Sequence, residues 1–166
     1  MSQPLQYNPP PDQPEQLLSP HFRLSEFTVS QAAIRLGISN RPSVVHIGYL
    51  RRVANALELV RTALGNRAIH ITSGYRNSTL NAAVGSNANS AHVRGCAVDF
   101  VCPAFGTPRQ ICAAIQRAGI EFDQLIDETG WVHLGLALPG ELSRQQPLTA
   151  IFTPGQPTRY RAGIGS

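Results

Sequence analysis

Apolar residues recur along this chain with two different periods. Val44, Ile47, Leu50, Val53, Leu57, Val60 and Leu64 follow one another at steps of three or four. That spacing draws one apolar face of a helix from about Ser43 to Leu64, with Gly65 suited to its C-terminal cap. Shorter helices are marked by their caps. Ser30 precedes a run through Ala33 and Leu36 that stops at Gly37, and Asn77 precedes a run through Val84. Thr107-Pro108 opens a further helix that runs to Ala118, with proline at the first helical position, where its missing N–H is not needed. Between these runs the period drops to two. Ala68–Thr72, Cys96–Cys102, Leu125-Ile126, Trp131–Leu136 and Leu148–Phe152 read as strands, the third and fourth joined by a short turn over Glu128 to Gly130, and a tail rich in Pro, Gly and Arg follows the last. Helices first, then strands interrupted by helices, predict an α+β fold.

Residues 1–20 depart from this pattern, with six of the chain's 13 prolines and little apolar material. So little apolar surface does not offset the entropy of ordering. A disordered or extended arm is expected, with order beginning near His21 and one folded domain covering 21–166. All 14 basic residues are arginine, which excludes Walker-type phosphate binding, pyridoxal Schiff bases and lysine nucleophiles. The ten acids keep the list of catalytic carboxylates short. A net charge of +4 suits an acidic partner such as an anionic cell envelope. The arginines are scattered and not interleaved with aromatics, so no nucleic-acid binding is expected. No apolar run approaches the roughly 20 residues of a membrane helix, and no signal peptide is visible at the N-terminus. A soluble monomer without membrane insertion is the expectation. Cys96, Cys102 and Cys112 form no C-x-x-C pair, so reduced, partly buried thiols are expected rather than a disulfide scaffold.

The chemistry concentrates in Ser90–Asp99, S-A-H-V-R-G-C-A-V-D, and in Trp131-Val132-His133. Gly95 permits a sharp turn between His92 and Asp99, so a loop residue and a strand residue can converge, and His133 on a separate strand can join them. Imidazole and carboxylate suit Zn²⁺, and three protein ligands leave a fourth position open to water, as in catalytic zinc sites. Spacing alone leaves the metal site and ordinary structural histidines both open.

The run matches S-x-H-x-x-G-x-A-x-D and resembles the zinc motif of the D-Ala-D-Ala carboxypeptidase and dipeptidase family of metallopeptidases, which includes phage endolysins. The resemblance extends over H-F-R-L-S-E-F from His21, S-G-Y-R from Ser73, F-D-Q-L-I from Phe122, W-V-H from Trp131, the L-T-A strand and R-Y-R-A-G near the C-terminus. It implies a hedgehog/DD-peptidase-like fold, a small, mostly antiparallel sheet with helices packed on it. It also implies zinc held by His92, Asp99 and His133, with Arg76 contacting a substrate carboxylate or developing oxyanion. Asp99 and Cys96 fall on opposite faces of a strand, so Cys96 is expected in the core. Family members carry an acid before the final histidine. The position three before it is Gly130 here, so the base is expected to be Glu128, with Asp127 as second choice. Ser90 and Trp131 are expected near the substrate as well as in loop and core roles, whereas His21, His46 and His70 are read as structural.

The function so implied is zinc-dependent hydrolysis of peptidoglycan peptide stems, of D-Ala-D-Ala carboxypeptidase or L-Ala-D-Glu endopeptidase type and endolysin-like. If phage-encoded, the protein would wait in the host cytoplasm before release to the wall. The alternative is a non-catalytic wall-binding or virion structural protein that retains the fold, a reading prompted by the missing acid at position 130.

Overall fold

Helices begin where their caps stand in the sequence. In the computed structural model, which describes residues 15–165, the Ser30 side chain accepts a hydrogen bond from Ala33 N–H ahead of α2 (Gln31–Leu36). Ser43 does the same for α3 (Val44–Ala63), Asn77 for α4 (Ser78–Ala83) and Thr107 for α5 (Pro108–Arg117). Each cap satisfies an amide that the first helical turn leaves without a partner. Helix α3 buries Leu50, Val53, Ala54, Leu57 and Val60, the stripe expected from the periodicity. Val44, in the first turn of α3, is the exception at 86% exposed.

Four elements were not expected. Strand β1 (Leu17–Ser19) pairs antiparallel with β2 (Phe22–Arg23), and the five-residue helix α1 (Leu24–Thr28) follows. Order thus starts ahead of the expected boundary at His21, because Leu18 and Phe22 are buried in the main core. The rest of the expected arm, residues 1–14, lies outside the described residues. At the other end, part of the presumed tail forms a strand, Arg159–Ala162.

Six strands make the main sheet: β3 (His70–Ser73), β4 (Ala97–Val101), β5 (Gln124–Asp127), β6 (Val132–Gly135), β7 (Gln146–Ile151) and β8 (Arg159–Ala162), in the order β3-β4-β6-β5-β7-β8. All neighbours are antiparallel except β5 with β7. On one face Val98, Phe100, Leu125, Val132 and Leu134 are fully buried in a core shared with α3 and α5. On the other face the register aligns Ser73, Asp99, His133, Ile126 and Leu148 in a row across five strands. That alternation separates a packing face from a face free to carry chemistry. The protein is α+β with a mostly antiparallel sheet, as expected. All three cysteines are free and buried.

The β1–β2 hairpin is held to α3 by one carboxylate. Glu58 accepts from Ser19 Oγ at 2.7 Å, from His21 N–H at 2.8 Å and from the His21 ring at 2.8 Å. Partial burial opposes ionisation, but these bonds outweigh it and hold the carboxyl below its ordinary value. Stability from this group is therefore present above the usual glutamate pKa and is lost as pH falls through the depressed one. Glu58→Ala is expected to destabilise the fold by about 2 kcal/mol at neutral pH, the scale of hydrogen bonds to a charged group. Chemical denaturation checks this, and the difference from the parent should shrink at acidic pH.

Candidate metal centre

The β4–β6 register sets Asp99 opposite His133, and the loop before β4 brings in His92. This loop turns sharply, with Cys96 N–H bonded to Ala91 C=O at 3.0 Å and Gly95 N–H to His92 C=O at 3.2 Å. Gly95 adopts φ 72°, and a Cβ there would stand 3.1 Å from the His46 carbonyl oxygen. Both facts favour glycine. The result is a cluster in which one ligand atom each from His92, Asp99 and His133 lies within 4.8 Å of the others.

Each imidazole is oriented by a specific neighbour. His92, 3% exposed, donates its Nδ1–H to the Gly74 carbonyl at 2.6 Å and thereby presents Nε2, which lies 3.3 Å from Asp99 Oδ1. Fixing the tautomer through the second ring nitrogen is the usual way proteins orient a metal-binding histidine. His133 presents Nδ1, 2.9 Å from the same Asp99 oxygen, while its Nε2 lies over Gly135, where a Cβ would sit 3.4 Å away. Burial opposes ionisation of Asp99, but its bonds with His133 and His92 hold the carboxyl well below the usual carboxylate range. Two imidazoles and one carboxylate with converging ligand atoms fit Zn²⁺ by donor chemistry. Cys96 is not in the cluster: it is buried beside the Arg94 carbonyl.

The Ser73–Arg76 segment supports this cluster from one side. Gly74 is required by close approach, because a Cβ there would collide with the Phe27 backbone, whose carbonyl accepts from Tyr75 N–H at 2.7 Å. Asn40 ties the segment down, donating to the Tyr75 carbonyl at 2.8 Å and accepting from Asn77 N–H at 2.9 Å. Arg76 then lies within the field of Asp99. Its Nη2 stands 3.5 Å from Ser90 Oγ, and its buried Nε has no hydrogen-bond partner among the described residues. Burial draws the guanidinium below its ordinary value, and the Asp99 charge opposes this. Ser90 Oγ also accepts from His92 N–H at 3.3 Å, so this residue shapes the ligand loop. A cleft of about 660 Å³ is lined by Ser25, Val29, Gln31, the β3 strand and Arg76, and by none of His92, Asp99, Glu128 and His133.

The two candidate acids part company at the end of β5. Asp127 accepts from Thr129 N–H at 3.0 Å and stands 3.9 Å from Arg109 Nε of α5. Arg109 belongs to the helix packed on the core face of the sheet. Glu128, 8% exposed, lies in the fields of His133 and Asp99 and within 3.4 Å of the Tyr160 hydroxyl. Burial pushes its carboxyl up, with the His133 charge opposing and Asp99 adding to the rise. Trp131, 37% exposed, precedes β6, and its carbonyl accepts from Glu128 N–H at 3.0 Å.

Sequence reasoning missed Tyr160 and Asn40. Asn40 acts on Tyr75, 35 positions away, and no local pattern signals such a bond. Tyr160 falls within R-Y-R-A-G, in a segment whose composition reads as a tail. Of the remaining histidines, His21 bonds Glu58 and His46 caps α3, while His70 is exposed on the edge strand.

The family described as Peptidase M15 matches this chain over residues 20–135, a span that contains all three ligand candidates, Arg76 and Glu128. No curated protein matches the chain significantly.

Proposed function

Because the chain belongs to the peptidase M15 family, a family of zinc peptidases, we propose that it hydrolyses peptide stems of bacterial peptidoglycan in an endolysin-like role, as a D-Ala-D-Ala carboxypeptidase or L-Ala-D-Glu endopeptidase. In this reading the sheet and its helices form a hedgehog/DD-peptidase-like domain. The observation that carries it is the convergence of His92, Asp99 and His133 on one face of the sheet, with the field of Glu128 reaching the same cluster.

His92, Asp99 and His133 would hold Zn²⁺, which supplies Lewis-acid polarisation of a carbonyl and lowers the pKa of water. Everything else falls to the chain's own side chains. Glu128 takes the proton from the attacking water and passes it to the departing amine, and a buried carboxylate with a raised pKa suits that exchange near neutral pH. Arg76 offers a planar fork to a substrate carboxylate or oxyanion, and its buried Nε, without a partner among the described residues, supports this role. Arg76 also lines the cleft beside β3, where an extended peptide would lie, and Trp131 would wall the site. No helix among the described residues is long and apolar enough to cross a membrane.

Mass spectrometry of products from a defined muropeptide carrying both bonds tests this reading. Cleavage at one of them, abolished by chelation and restored by zinc, is the expected result. An intact substrate with zinc-loaded protein would favour the non-catalytic wall-binding alternative, and turnover unaffected by chelation would remove the zinc mechanism.

A further inference from the structure

Tyr160 lies on β8, beyond the span that matches the family. The β7–β8 register places it opposite Ala150. The β5–β7 register, which pairs Asp127 with Thr149, sets Ala150 beside Glu128 when continued by one residue. The small side chain between them lets the phenol reach across, and its oxygen comes within 3.4 Å of Glu128 Oε1. This is long for a hydroxyl–carboxylate bond, as catalytic contacts often are before substrate binds.

The backbone holds Glu128 from the opposite side. Thr129 adopts φ 71°, and Gly130 N–H bonds the Glu128 carbonyl at 2.9 Å, which closes a three-residue turn in a conformation a β-branched residue seldom takes. Glu128 is thus gripped through its main chain by the turn and through its side chain by Tyr160.

We propose that Tyr160 is a positioning residue for Glu128, its hydroxyl donating to Oε1 and leaving Oε2 turned toward the metal centre to exchange the proton. The proposal rests on the reading of Glu128 as the base. Burial and the charges of Glu128 and Asp99 hold the phenol above its ordinary value, so it remains a donor throughout the neutral range. Half of the side chain is exposed, which makes loss of the hydroxyl alone compatible with folding.

The test is Tyr160→Phe in the full zinc-loaded chain, assayed on a soluble muropeptide carrying both candidate bonds. The expected result is a kcat lowered about tenfold with KM, bound zinc and Tm unchanged, and no further loss when the change is added to Glu128→Gln. Unchanged kcat in Tyr160→Phe beside an inactive Glu128→Gln would overturn the proposal alone. A matching loss of zinc or Tm would overturn it in favour of a structural role. Full turnover by Glu128→Gln would remove the reading on which it rests.

Discussion

Glu128→Gln is expected to lower turnover on the order of 10³-fold, within the range that a positioned general base contributes. Glutamine keeps the shape of the side chain and an oxygen for the Tyr160 hydroxyl, but it takes up no proton. Zinc content should not change, because Glu128 is outside the His92, Asp99 and His133 cluster. Release of free amino groups from purified peptidoglycan, with metal analysis on the same sample, checks both halves. Full activity would move the base elsewhere. Asp127 would be the next candidate, although it accepts from Thr129 N–H and stands beside Arg109 of α5.

Asp99→Ala should have the other large effect. One oxygen of Asp99 faces both His92 Nε2 and His133 Nδ1, so its removal leaves two imidazoles converging without the only anion of the set. Changes in residues that merely orient metal ligands cost about 10- to 100-fold in affinity, and loss of a ligand should exceed that. The variant is expected to bind zinc more than about 100-fold more weakly and to show background turnover. Dialysis of the parent against a chelator should produce the same inactive state, reversed by stoichiometric zinc, whereas Asp99→Ala should not recover at that concentration. Tight zinc retained by Asp99→Ala would show that the metal is held by another set of residues.

Much of this was legible because it is local. Helix caps at Ser30, Ser43, Asn77 and Thr107 act within three residues, and α3 carries its own apolar stripe. The approach of His92 to Asp99 was legible for a related reason. Gly95 and the alternation of β4 fix where His92 and Asp99 can point, and Cys96 is placed on the opposite face by the same alternation. The missed elements depend on distant partners. Strand β1 is ordered by packing on α3, and β8 exists because β7 offers it an edge. Neither has a period long enough to announce itself.

The choice between Asp127 and Glu128 shows where the division lies. By itself the sequence determined the α+β order and the main caps, because these follow from periodicity and turn chemistry, and its resemblance to a peptidase family singled out His92, Asp99 and His133 and the two carboxylates as candidates. Only the tertiary structure decided what each group meets. It set Asp127 toward Arg109 of α5 and Glu128 into the fields of His133 and Asp99, it gave His92 the Gly74 carbonyl, and it brought Tyr160 across Ala150. The physical reason is that strand register and loop approach join residues far apart in the chain, and such contacts leave no mark in the local pattern of apolar and polar positions.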